Sequence, residues 1–587
     1  MTTEVVGVAV GFILSLALTA LVKPVAVRFG AVALPKADRW HRAKVPLLGG
    51  VAIAGAVVGG ALVNGVRDAD IWELLAGALT LSVVGLVDDV RPLRPQTKFV
   101  AQILVAAALA ALGLQLRLTG YPVLDILVTV VWIVGITNAI NLLDNMDGLA
   151  AGVAAIAVGF RLAFFVLDGN AAEAAFAAIV LGATLGFLVH NFNPASIFMG
   201  DAGSLFLGVL VSGLNLVGGW PYSKAALSVL LFPVLILLVP IFDTLFVSVV
   251  RTMAGRSLST GGRDHTSHRL VMLGLSEREA VLVLHFVALL SGSVAYMAYI
   301  YGISYTVVLI AFLAIGLGLL GVYLARLKVY PEEEAHLTEG TRFFGLAADF
   351  SYKRQVAAVA IDAALIVLAY YSAYLLRFED RFHAEQPLLI RSLPLVLACQ
   401  LAALAGFRIY QGVWRYTGVR DLVKLTKAAT VGSLASVLAV VLLFRFEGFS
   451  RAVFILDWLL LVVLVGGSRI FFKTIEETLQ PRREGERVLI YGAGDGGVML
   501  LRELLNNRAL GRQVVGFVDD DRAKHRTTIR GMPVLGGLDS LEEAIRSQQV
   551  TQVILSSPKI TPERALAIGR ICHSLDVPVV RATLRIE

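Results

Sequence analysis

Two adjacent carboxylates, Asp88 and Asp89, close a long apolar run in the stretch LSVVGLVDDVRPLRPQTKF. A carboxylate that faces lipid costs several kcal/mol, so such a pair calls for a polar surface or a partner. Three further segments carry residues of the same kind. NAINLLDNMDGLAAG places Asn138, Asn141, Asp144 and Asp147 at intervals of three, on one face if the segment is helical. HNFNPASIFMGDAGS runs from His190 through Asn191 and Phe198 to Asp201, which small residues follow. GGRDHTSHRL sets His265 and His268 beside Arg263 and Arg269. Carboxylate and amide oxygens suit a hard cation, while Lys98, the arginines and the histidines suit phosphate. The chemistry implied is that of a metal-bound phosphate ester. Taken singly each segment has an ordinary reading: a solvated turn, a helix cap with a small-residue packing face, a basic loop at the headgroups. Their joint occurrence argues for a site.

What must position these residues is a membrane. Of 587 residues 57% are hydrophobic and 16% charged, with mean hydropathy +0.77, against about 25% charged in soluble domains. The net charge of +7 is what basic cytoplasmic loops produce, and no nucleic-acid partner is expected. Two cysteines, Cys399 and Cys572, allow neither a disulfide framework nor a cysteine metal site. The first apolar segment lacks the basic start and small-residue cleavage pattern of a signal peptide and is expected to be a retained helix.

Eleven candidate spans start near Val5, Leu48, Ile71, Phe99, Val123, Leu149, Ala171, Ala202, Ala225, Ala280 and Tyr305; four more start near Val356, Leu393, Ala428 and Val453. The loop holding Lys23, Arg28, Lys36, Arg39, Arg42 and Lys44 is expected in the cytoplasm by the positive-inside bias. Alternation from there puts all four polar segments on the cytoplasmic side, at the ends of helices rather than at the bilayer midplane. That favours chemistry at an interface over transport. The fold expected is a polytopic α-helical membrane protein of about 11 plus 4 transmembrane helices with a C-terminal cytoplasmic α/β Rossmann-like domain. The parts are residues 1–328, a linker at 329–352 where LKVYPEEEAHLTEGTRFF shifts the composition, a four-helix membrane part at 353–473, and 474–587.

The four segments, in their order, resemble the polyprenyl-phosphate N-acetylhexosamine-1-phosphate transferases: DDxxxLxPxxK, NxxNxxDxxDGLAxG, NxxPAxxFMGD and a basic His loop, over roughly residues 1–328. PKADRWHRAKVPLLGG looks like that family's early cytoplasmic loop, with His41, Pro46, Gly49 and Gly50 matching. The resemblance implies transfer of a sugar 1-phosphate from a UDP-N-acetylhexosamine, with GlcNAc the expected sugar, to undecaprenyl phosphate, with release of UMP, Mg²⁺ as cofactor (Mn²⁺ an alternative) and a bacterial inner-membrane location. It places Asn141 and Asp201 on the metal. It puts Asp88, Asp89, Asp147, His265 and His268 in the catalytic set, and Lys98, Asp144, Asn191, Phe198 and Arg269 against the substrates. Asp88 is implied as the group that deprotonates or orients the acceptor phosphate; a scheme in which an Asp is the nucleophile of a covalent intermediate stays open. The family's loop commonly reads HxHH, and Ser267 stands at the third position here.

Beyond the linker, FRIYQGVWRYTGVRDLVKL is basic and aromatic, as membrane-edge anchors are. ERVLIYGAGDGGVMLLREL reads as strand, glycine turn and helix, with Gly492, Gly494 and Gly497 in GxGxxG. Strands are expected at VVGFVDD, QVILSS and VPVVRA, and Asp519 lies 27 residues after Gly492, where an acid can bind a ribose hydroxyl; a solvated DDDR turn is the competing reading. This half resembles the N-terminal part of membrane-bound nucleotide-sugar dehydratases and epimerases of polysaccharide synthesis. The chain has no Tyr-x-x-x-Lys, so a nucleotide-sensing or scaffolding role is expected over dehydratase chemistry, with a nucleotide or NAD(P) as the ligand. A homodimer is an open option.

Overall fold

A computed structural model of the chain describes residues 2–33, 44–218, 226–253, 256, 262, 264–325, 327, 350–411, 419–478, 486–506, 511–525, 527–529, 532–556 and 560–582. His41, Arg263, nearly all of the 329–352 linker and the GVWRYTG part of the aromatic segment lie outside them. Two units separate, Met1–Gln480 and Pro481–Glu587.

In the first unit α1 (Thr2–Arg28) is followed by a short antiparallel pair, β1 (Val32–Ala33) and β2 (Val45–Pro46). Next come α2 (Gly49–Val63), α3 (Ala69–Val90), α4 (Pro95–Leu112), α5 (Pro122–Leu143), α6 (Leu149–Asp168), α7 (Ala171–Asn191) and α8 (Gly200–Gly213). The chain continues through α9 (Ala226–Ile236), α10 (Leu238–Met253), α11 (Thr266–Met272), α12 (Glu277–Tyr301) and α13 (Ile303–Ala325). Four more helices follow: α14 (Phe350–Phe378), α15 (Phe382–Gly406), α16 (Val419–Phe444) and α17 (Arg451–Thr478). Among the described residues twelve helices are long and apolar enough to cross a membrane, thirteen if a bent pair counts as one span. A polytopic helical protein is therefore what the chain forms.

Two of the eleven segments expected as spans before residue 330 are too short to cross. The 15 residues of α2 and 14 of α8 reach about 22 Å, less than the roughly 30 Å hydrocarbon thickness. Burial explains α8: every residue from Ala202 to Gly213 is buried, so protein surrounds it and no lipid sets its length. The segment expected as one span from Ala225 is instead α9 and α10, bent by 82°. Pro240 has no N–H to donate to Ile236, which opens the helical ladder at the bend.

Small residues let the backbones close. A Cβ on Gly182 would lie 2.1 Å from the Val8 carbonyl oxygen, which fits the tight pairing of α1 with α7. A Cβ on Gly50 would meet the Gly203 nitrogen at 2.1 Å, and one on Gly85 the Asp201 oxygen at 2.3 Å. Helices α2 and α3 thus press directly on the first turn of α8. In α14–α17 a buried ion pair joins Arg469 to Asp362 at 2.6 Å, and Gln400 donates to Asp457 at 2.6 Å. Helix α13 packs on both groups of spans: Leu313 and Leu317 belong to the core around α2–α9, while Val308, Ala311 and Ile315 pack against the core of α14–α17.

The second unit contains β3 (Glu486–Tyr491), α18 (Asp495–Asn506), β4 (Arg512–Val518), β5 (Thr528–Ile529), β6 (Met532–Pro533), α19 (Leu541–Ser547), β7 (Gln552–Leu555), α20 (Pro562–Ser574) and β8 (Val579–Arg581). Four strands make one parallel sheet in the order β4-β3-β7-β8, and β5 and β6 form a separate hairpin. The strands expected at VVGFVDD, QVILSS and VPVVRA are β4, β7 and β8. Their apolar runs, four buried residues in β7, are what a parallel sheet covered on both faces requires.

Candidate active site

The first turn of α8 is the centre of the site. Gly200 adopts φ 70°, and a Cβ there would lie 2.5 Å from Asp89 Oδ2, so only glycine lets α3 approach. Asp89 accepts the Asp201 N–H on Oδ1 at 2.8 Å and the Ala202 N–H on Oδ2 at 3.0 Å. Its carboxylate caps α8 at the positive end of the helix dipole. Asp88, next along α3, points elsewhere: Oδ1 accepts the Leu93 N–H at 2.6 Å and Oδ2 accepts Lys98 Nζ at 2.9 Å. Pro95 starts α4 as helix-opening prolines do, which places Lys98 one turn in. The same Nζ donates to Asp201 Oδ2 at 2.7 Å, and Asn141 Nδ2 reaches Asp201 Oδ1 at 3.2 Å and Ser204 Oγ at 2.8 Å. Residues of α3, α4, α5 and α8 therefore meet at Asp201.

The polar face after α5 ties a second group to the first. Asp147 Oδ2 accepts the Ala195 N–H at 2.8 Å and Asn193 Nδ2 at 3.3 Å, holding the loop before Phe198. Asp144 and Phe198 are half-buried, and the Phe198 backbone pairs with Pro46 and Gly49. Asn145 accepts Ser267 Oγ at 2.7 Å, so the residue that departs from the HxHH pattern links the basic loop to the α5 end. In that loop the His265 and His268 rings lie 6.1 Å apart, edge to face. His265 Nδ1 sits 2.8 Å from Asp243 Oδ2, and Asp243 Oδ1 accepts the Thr266 N–H at 2.7 Å.

Two residues expected against substrate also hold backbone. Buried Asn191 accepts the Gly148 N–H at 3.1 Å and donates to the Ile197 carbonyl at 3.0 Å. Buried Arg269 donates to the carbonyls of Asp264, Leu324 and Leu327, clasping the end of α13. Side chains that the motifs did not flag also contribute: Ser204, Asn145, Asp243, Arg251 and Asp264. A sequence signal existed for Asp243, a lone acid inside the apolar run LVPIFDTLF, since an ionisable residue within a span is a functional candidate by default.

Arg251 and Asp264 form a bidentate buried pair at 2.7 Å on both bonds. Burial pushes the Asp264 carboxyl up, but the hydrogen bonds and charge of Arg251 outweigh this and hold it below the ordinary range. Removing one partner leaves a buried charge, so Arg251→Met is expected to destabilise the first unit by about 3–5 kcal/mol, read as a lowered unfolding temperature of the purified chain. Because the folded carboxyl titrates lower than the unfolded one, the pair's contribution is complete above the ordinary carboxylate range, and it fades as pH falls through the folded value. An Arg251→Met chain as stable as the parent at neutral pH would contradict this.

The donor set suits a hard divalent cation. Asp201 and Asp88 offer carboxylate oxygens around the point that Lys98 Nζ bridges, and Asn141, whose Nδ2 faces Asp201, carries the amide oxygen of the set. Among the described residues no three His, Cys, Asp or Glu side chains converge as a metal cage. Mg²⁺ does not need one, because it takes one or two carboxylates and completes its shell with substrate phosphate and water.

Residues 71–219 match the family model described as glycosyl transferase family 4. The chain is 38% identical over 298 residues to the probable undecaprenyl-phosphate N-acetylglucosaminyl 1-phosphate transferase of Bacillus subtilis (strain 168), covering 48% of this chain and 83% of that protein. The chain belongs to glycosyl transferase family 4. A second relative of this family-4 chain is the decaprenyl-phosphate N-acetylglucosaminephosphotransferase of Mycolicibacterium smegmatis, 35% identical over 305 residues, covering 46% of this chain and 75% of that one. Residues 406–581 match a model described as a CoA-binding domain. This portion of the family-4 chain also resembles the probable polysaccharide biosynthesis protein EpsC of Bacillus subtilis, 29% identical over 223 residues, 38% of this chain and 37% of that one. The chain spans little more than a third of that relative's length.

In the second unit of the family-4 chain, Gly492 adopts φ 101° at the end of β3, and a Cβ on Gly497 would fall 2.0 Å from the Gly492 oxygen. These are the tight turn and the close strand-to-helix packing that a GxGxxG loop requires. A Cβ on Gly494 would meet nothing within 4 Å, so that side is open. Asp519 is turned to the loop itself: Oδ2 accepts the Ala493 N–H at 2.6 Å and Lys524 Nζ at 3.2 Å, and Oδ1 the Asp521 N–H at 2.9 Å. Burial pushes this carboxyl up, and the backbone hydrogen bonds and Lys524 bring it below the ordinary range.

Proposed function

We propose that the chain transfers N-acetylglucosamine 1-phosphate from UDP-GlcNAc to undecaprenyl phosphate, releasing UMP, at the cytoplasmic face of the bacterial inner membrane. The observation that supports this best is the meeting of Asp88, Lys98, Asn141 and Asp201, from four helices, at the first turn of α8. The bond that forms joins an acceptor phosphate oxygen to the sugar-bound phosphorus; the bond that breaks frees UMP. Asp88 orients the acceptor phosphate beside Lys98, and Asp89 keeps the α8 turn in place. Asp201 and Asn141 would hold Mg²⁺, which when bound neutralises the diphosphate and the leaving UMP. His265 and His268 face phosphate from the basic loop, and Asp144 and Phe198 take the uridine side. Asn191 and Asp147 shape the loop that carries Phe198.

In this reading residues 1–328 are the transferase, and 353–473 and 474–587 form a membrane-anchored accessory part that binds a nucleotide-containing ligand at Gly492, Gly494 and Gly497 and senses it rather than transforming it. The test is UMP release by the purified full chain with undecaprenyl phosphate and a panel of UDP-sugars. UDP-GlcNAc should be the best donor, release should need both substrates, and EDTA should stop it. Silence with every donor overturns the proposal.

A further inference from the structure

Asp243 lies in the apolar helix α10, 2% exposed, where a carboxylate is costly unless fully hydrogen-bonded. Both of its oxygens engage the basic loop: Oδ1 takes the Thr266 N–H at 2.7 Å, and Oδ2 lies 2.8 Å from His265 Nδ1. The first bond fixes the rotation of the carboxylate, because a backbone N–H can only donate. The second then fixes which ring nitrogen carries the proton. A carboxylate accepts, so Nδ1 must be the donor, and Nε2 is left as the nitrogen for other partners. The loop around the ring is held from two more sides, by the Arg251–Asp264 pair and by the bond from Arg269 to the Leu324 carbonyl of α13, and His268 is the neighbouring ring.

We infer that Asp243 is a positioning residue, which acts through His265 by setting its tautomer and orientation toward phosphate. The catalytic consequence rests on the transferase reading above; the tautomer does not.

Asp243→Asn separates the role from mere packing, since it preserves shape. The Thr266 N–H still needs an acceptor, so the amide oxygen takes the Oδ1 place and its NH₂ faces His265. Nδ1 must then accept, and the proton moves to Nε2. The tautomer is read from ¹⁵N shifts of the full chain labelled at histidine, with the His265 signals located by difference against His265→Gln. Nδ1 should be protonated in the parent and unprotonated in Asp243→Asn. An unchanged pattern overturns the inference whether or not UMP is released. In turnover, Asp243→Asn should lower kcat about 10–100-fold, the usual cost of losing an orienting partner, with the donor KM unchanged. The loss should vanish in a His265→Gln background. A loss that persists undiminished there overturns the role through His265.

Discussion

Asp201→Ala is expected to lower UMP release about a thousandfold, the loss that removal of one preorganised charge-stabilising group brings at a phosphoryl or acyl centre. Asp201 has the most shared position in the site: Lys98 Nζ on one oxygen, Asn141 on the other, and its backbone N–H on Asp89. Alanine removes the side-chain contacts and leaves the backbone one, so α8 keeps its cap and the chain should still fold. The Lys98 ammonium then keeps Asp88, and the point between the two carboxylates loses half its negative charge. Unimpaired release by Asp201→Ala, with EDTA still inhibitory, would move the metal to other residues.

What could be read from residues alone depended on whether local chemistry or remote packing decided the outcome. The Asp pair, the NxxNxxDxxDG face and FMGD announce themselves because carboxylates and amides at the ends of apolar runs need a reason, and they do meet in space. The glycine turn after β3 was equally plain, since backbone geometry demanded Gly492 and Gly497. Span counting failed where lipid does not set the rule: α8 is enclosed by protein and stops at 14 residues, and Pro240 marks a bend that hydropathy averages away. The resemblance puts Asn191 and Arg269 against substrate; that each also holds a backbone carbonyl, of Ile197 and of Leu324, is decided by how the chain packs around it. Asp243 is hard to read from its neighbours, as its partner lies 22 residues ahead in the basic loop.

The adjacent acids should separate cleanly on substitution, because α3 aims them at different tasks. Asp88→Asn should cost about 100-fold or more in kcat, within the range for a group that positions or takes a proton, while the unfolding temperature stays near that of the parent. The amide oxygen can still accept the Leu93 N–H, so the turn into α4 survives; what is lost is the charge opposite Lys98. Asp89→Asn should do the reverse. Its two oxygens each accept a backbone N–H of α8, and an amide offers only one oxygen, so either Asp201 or Ala202 would face an NH₂ group. Loss of such a cap costs about 1–2 kcal/mol, and the unfolding temperature should fall. Activity should fall with it, since the turn that carries Asp201 loosens. Parallel thermal unfolding and UMP-release measurements on the two variants decide the matter. A destabilised Asp88→Asn beside a stable but inactive Asp89→Asn would exchange the two roles and leave Asp89 as the residue facing the acceptor phosphate.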